Sequence, residues 1–226
     1  MPRARRTRPE RPRRVRIIAE PREGSSTGAA AAPLAGALDF CGQMQRLCED
    51  IIARVPGLSH VRMEDVLVTV TRSRGRGRTG LWAKLTPMRF AGGARVGQRR
   101  GRPYLIEPLL VEGREVLYIL TFCLPRFLNL TYREKLETVC HELFHVGPKS
   151  DGDYRRFSGR YHVHSARASR FDEAAERLCD DYLATRPPAS TRSFLRFRLA
   201  ELLRRHHAIE GVTIPVPKLV PLEEAA

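Results

Sequence analysis

Two histidines four residues apart, with a glutamate directly after the first, occupy the middle of the chain in Cys140-His141-Glu142-Leu143-Phe144-His145-Val146. On an α-helix, positions four apart lie about 40° from one another around the axis, so they share a face. Two imidazoles placed in this way can hold one zinc ion (Zn2+), and the glutamate can reach the water that such an ion polarises. The chemistry this spacing serves is metal-assisted hydrolysis, with His141 and His145 as ligands and Glu142 as general base. A catalytic zinc commonly takes three protein ligands and keeps one position open. Four of the seven histidines fall between positions 141 and 164, and His164 is assigned as the third ligand. His162 and His164 alternate like strand residues on one face, so His162 is an alternative. Glu173, in the first turn of a following helix, is another. Asp172 or Asp180 could orient a ligand from behind it, and Tyr161 could stabilise an oxyanion.

The residues around the motif have to form a helix for this to work. Thr131 followed three residues later by Glu134 reads as a capping box. Leu136, Val139, Leu143 and Val146 recur at helical spacing and occupy an arc of about 80°. His141 and His145 fall on the opposite side. Gly147-Pro148 terminates the pattern directly after the second histidine. The expected helix spans about 131 to 146, with one face for the core and the other for the two imidazoles.

Elsewhere the pattern alternates between strands and helices. Leu38, Phe40, Met44, Leu47, Cys48 and Ile51 mark an amphipathic helix ending before Pro56-Gly57, with Asp39 as its cap. Val66–Thr71, Gly80–Leu85, Tyr104–Ile106 and Glu115–Phe122 read as strands of a small, mainly antiparallel meander. A further helix covers about 171 to 183, with Ser169 as its cap. A last basic helix runs from 191 to about 207 and is followed by a proline-containing tail. The fold class expected is α+β, with the sheet packed on the His-Glu-x-x-His helix and its flanking helices. The domains expected are a disordered basic N-terminal tail over 1–33, a metal-site domain over 34–188, and a basic amphipathic helix with its tail over 189–226.

Composition sets further bounds. The chain has 226 residues, 42% of them hydrophobic, and a formal net charge of +15. That permits a substantial core and favours polyanion partners. Eight arginines fall within the first sixteen residues, and two loops carry Arg72, Arg74, Arg76, Arg78 and Arg95, Arg99, Arg100, Arg102. Nucleic acid is therefore a candidate partner through this arm and these loops. The five cysteines are odd in number and form no Cys-x-x-Cys pair, which argues for reduced, buried thiols in a cytoplasmic protein. No apolar run reaches the length of a membrane span. The pattern leaves the oligomeric state open.

His141-Glu142-x-x-His145, the polar stretch after it, Tyr161-His162-Val163-His164-Ser165, Phe171-Asp172-Glu173 and the earlier Gly80-Leu81-Trp82-Ala83-Lys84-Leu85-Thr86-Pro87 together resemble the phage metallopeptidase domain family over about residues 60 to 185. More distantly, the chain is similar to the SprT/Spartan-like proteases, which add a later histidine, and to the ImmA/IrrE-type metallopeptidases, whose third ligand is a glutamate on the next helix. The resemblance implies a zincin fold and peptidase activity on a protein or peptide substrate. The SprT/Spartan-like similarity would add DNA-associated substrates, although this chain lacks the cysteine zinc module that goes with them. The competing reading is a nucleic-acid-binding protein with a structural or degenerate zinc site.

Overall fold

A computed structural model describes residues 12–17, 36–73, 79–156 and 168–222. The chain is α+β. Its central sheet has three strands, β3 (Val66–Arg72), β9 (Tyr118–Leu124) and β4 (Ala83–Pro87), in the order β3-β9-β4. β3 runs parallel to β9 and β4 antiparallel to it. Every residue of β9 is buried, as expected of a middle strand covered on both faces. Val68, Val70, Leu85, Leu120 and Phe122 point into one hydrophobic cluster with two helices, α1 (Phe40–Arg54) and α2 (Tyr132–Phe144). Phe40, Phe122 and Phe127 meet edge-on or tilted in that cluster, with ring centroids 4.7 to 6.1 Å apart.

Both helices begin where side-chain chemistry fixes them. Asp39 Oδ1 accepts from Gly42 N at 3.0 Å at the start of α1. Thr131 and Glu134 form a reciprocal capping box at the start of α2. On α2 the side expected to face the core does so, since Leu136, Val139, Leu143 and Val146 are fully buried. A third helix, α3 (Ala168–Ala184), packs along α2. Arg133 joins the two by donating to Glu137 and to Asp180, and those carboxylates hold its guanidinium above its ordinary value. Tyr182 Oη donates to Asp50 Oδ2 at 2.7 Å and ties α3 to α1.

The strands form no single meander. β3 pairs in parallel with β9, and of the chain between them only β4 joins this sheet; the stretch from β4 to β9 lies outside it and contributes to two further units. These are the hairpin β5 (Val96–Arg99) with β6 (Arg102–Ile106), joined by β11 (Leu219–Pro221), and the two-stranded β7 (Leu109–Val111) with β8 (Arg114–Val116). Within the stretch read as an N-terminal tail, β1 (Arg13–Ile17) pairs antiparallel with β10 (Ile209–Thr213), which also pairs with β2 (Leu38–Asp39). The basic segment after 188 is broken into α4 (Ala189–Arg192), a 3-10 turn over Ser193–Arg196 and α5 (Leu199–Arg205), where one helix was expected. The break has a tertiary cause. Lys135 Nζ on α2 donates to Leu195 O at 2.9 Å and to Phe197 O at 2.8 Å, carbonyls that a continuous helix would have used internally. All five cysteines are free and buried, and no helix among the described residues is long and apolar enough to cross a membrane.

Candidate metal centre

His141 on α2 and His145 at its C-cap stand one turn apart, the first half-buried and the second buried, and their Nε2 atoms lie 3.1 Å from each other. Two nitrogens bound to one tetrahedral zinc at about 2.0–2.1 Å would be separated by about 3.3 Å, so the pair is spaced as a shared ion requires. The His141 Nδ1 atom is 3.2 Å from Asp172 Oδ1 on α3. A carboxylate there can accept a hydrogen bond from Nδ1–H and leave the Nε2 lone pair directed at His145, the arrangement that orients a metal-binding imidazole. Phe171, beside Asp172, stacks on the His145 ring at 4.4 Å and meets His141 edge-on at 4.7 Å. The helix sets the spacing of the two rings and α3 sets their orientation.

Glu142, in the same cleft as His141, also reaches the sheet edge. Its Oε2 accepts from Leu85 N at 2.7 Å. Burial pushes its carboxyl up to about 7, with the Leu85 N–H working in the opposite direction. The Tyr154 hydroxyl donates to Leu85 O at 2.6 Å, and its ring lies 5.8 Å from that of His145. Burial, together with the charge of Glu142, pushes this phenol up to about 12. Both backbone groups of Leu85 are thus taken, one by the helix and one by the segment after it.

That segment is anchored where α2 ends. Arg155 N donates to His145 O at 2.8 Å and Arg155 Nε to Phe144 O at 2.7 Å, so two of the helix's last carbonyls find donors. The guanidinium also sits 4.3 Å over the Phe144 ring. Gly147 N donates to Asp153 O, and a Cβ on Gly147 would come within 2.7 Å of that oxygen. The turn after the second histidine therefore needs a glycine on steric grounds. Tyr118 Oη accepts from Gly152 N and donates to Asp153 O, each at 2.9 Å, which holds the turn to the start of β9.

A cleft of about 530 Å³ opens beside His141 and Glu142, between α2, α3 and the chain entering β4. Cys123 N donates to Trp82 O and Met88 N to Leu117 O, so even-numbered residues of this strand face β9. Antiparallel alternation then turns the backbone groups of Ala83 and Leu85 outward. Leu85 is closed by Glu142 and Tyr154, while Ala83 lines the cleft.

Of the residues expected from sequence, the structure brings together His141, His145, Glu142 and Asp172. Asp180 instead pairs with Arg133. Glu173 is exposed on α3 and lies outside the cleft lining. Tyr161, His162 and His164 lie outside the described residues. Among the described residues no group of three His, Cys, Asp or Glu side chains forms a metal cage. Tyr154, Leu85 and Arg155 carried no local signal, because their contacts span from 11 to 69 positions. No family model, curated protein or solved structure matches this chain.

Proposed function

We propose that the chain is a zinc-dependent peptidase of zincin type, with Glu142 as general base, His141 and His145 as ligands and His164 as the third. The observation that carries this reading is the pair of Nε2 atoms 3.1 Å apart, one of them oriented by Asp172 through the opposite ring nitrogen. When bound, zinc supplies Lewis acidity, which polarises a carbonyl and lowers the pKa of water.

The chain's own residues do the rest. Asp172 keeps His141 in the tautomer whose Nε2 is a ligand. Glu142, buried and with raised proton affinity, takes a proton from water and returns it to the departing amine, a task typically worth about a hundred- to ten-thousandfold. The chain entering β4 borders the cleft, and an extended peptide would lie along it. Tyr154 fixes this strand by holding Leu85 O.

The test is hydrolysis of a quenched peptide mixture by zinc-loaded wild type and Glu142→Gln. The proposal expects cleavage by the wild type, a loss of about a hundredfold or more in the variant, and one zinc in both. Equal cleavage by the two chains would overturn it.

A second reading rests on the tip of the β5–β6 hairpin, where Arg99, Arg100 and Arg102 are exposed and have no carboxylate partner among the described residues. These arginines would hold phosphates of a nucleic acid. Binding to an oligonucleotide should then weaken steeply with salt and lose about one unit of salt slope per arginine replaced. A slope unchanged by their replacement would remove this surface as the contact.

A further inference from the structure

We infer that the cleft beside His141 and Glu142 selects a basic side chain, so that the substrates are peptides carrying Arg or Lys about two residues from the cleaved bond. The inference rests on the peptidase reading and names its substrate class. The chain has 40 Lys and Arg against 25 Asp and Glu, so an average patch of its surface is basic. The cleft inverts that balance. Among the described residues, Glu134, Glu137 and Glu142 line it from α2, Asp172 and Glu176 line it from α3, and no Lys or Arg is in the lining, the Arg126 guanidinium standing at its edge, where it donates to Leu81 O.

Some of these carboxylates are already engaged. Glu134 accepts from Thr131, Asp172 faces His141, and Glu142 accepts from Leu85. Glu137 gives one oxygen to Arg133. Glu176 is exposed and takes part in no hydrogen bond or ion pair with a described residue. Glu176 and the second oxygen of Glu137 are acceptors open to a ligand.

Three further features point to a side chain of this shape. Gly80, Leu81, Trp82 and Ala83, the chain entering β4, run along one side of the same cleft, so an extended peptide has a segment to lie against. Leu81, 53% exposed, and Trp82 give an apolar wall for the methylene stem of Arg or Lys. The spacing also agrees. Glu137 precedes His141 by one turn, about 6 Å along the helix, which is about two residues of extended peptide.

The experiment compares three labelled eight-residue peptides that differ at one position, Arg, Gln or Glu, binding to full-length Glu142→Gln in fluorescence anisotropy. The net charge of the chain would favour the Glu peptide through long-range attraction, so a preference for Arg has to come from a local site. The inference expects the Arg peptide to bind about tenfold tighter than the Gln peptide, with the margin shrinking at high salt. It also expects the margin to vanish when Glu137→Gln and Glu176→Gln are added. Glu176→Gln alone, at an exposed position, should shrink the margin without affecting the fold.

Equal binding of all three peptides would overturn the inference, as would a preference that survives the added substitutions or no binding of the Arg peptide at millimolar concentration. Zinc content and hydrolysis by the wild type keep the two readings apart. Hydrolysis without an Arg preference removes only the specificity. An Arg preference without zinc or hydrolysis upholds the basic-side-chain site and removes the peptidase.

Discussion

Asp172 decides which nitrogen of His141 faces His145, and it does so with a side chain that is 57% exposed and 3.2 Å away. Replacing it by Asn should therefore affect the metal without affecting the fold. Asp172→Asn is expected to weaken zinc binding by about ten- to a hundredfold while leaving the thermal midpoint nearly unchanged, as chelator competition and calorimetry would show. Unchanged zinc affinity would mean that the carboxylate does not orient the ring. At this scale the sequence was informative because the chemistry is local. A four-residue spacing on one helix brings His141 and His145 together whatever the rest of the chain does. The hold on Leu85 is different. Glu142 reaches it across 57 positions and Tyr154 across 69, and no pattern within a single segment encodes such a meeting. Tyr154→Phe removes the hydroxyl that holds Leu85 O and leaves that carbonyl short of a donor. A stability loss of about 1–3 kcal/mol is expected in urea unfolding, and a loss below a few tenths would show that the contact does not hold the strand.

Among the elements, α2 could be read almost to the residue, since its cap, apolar arc and terminating Gly147 all act within a few positions. Thr131→Ala should cost about 1 kcal/mol and lower the thermal midpoint by about 2–4 °C. The strands were legible as strands, from Val66–Thr71 and Glu115–Phe122, but their pairing was not. Alternation within a strand does not say whether its neighbour runs parallel. The basic segment after 188 shows a tertiary contact overriding a helical pattern, with Lys135 as the agent. Burial pushes the Lys135 ammonium from 10.5 down to about 8, with the charge of Glu201 working in the opposite direction. Between about pH 8 and 10.5 the unfolded chain binds this proton and the folded chain does not, so this group's contribution makes stability rise with pH across that window. Lys135→Met should lack that rise when urea midpoints are compared across the window. A variant whose pH dependence matched the wild type would show that Lys135 is not its source.

Among the described residues, charge is unevenly distributed. A chain of net charge +15 keeps carboxylates around the cleft and arginines on the β5–β6 hairpin and β1. Composition alone gave the basic total and pointed to polyanions, but an average says nothing about where the acidic minority gathers. That depends on α2 and α3 packing side by side so that Glu137 and Glu176 line one opening. The packing also explains why the candidate metal site was only partly legible. The helix carries two of the proposed ligands within one turn, whereas the proposed third, His164, lies elsewhere in the chain.

The most direct measurement is the zinc content of the purified, reconstituted chain by mass spectrometry, for wild type, His141→Ala with His145→Ala, His164→Ala and Glu142→Gln. One zinc per chain is expected in the wild type and in Glu142→Gln, and its loss in both histidine variants. Absence of zinc from the wild type, or zinc retained after His141 and His145 are both replaced, would contradict the account.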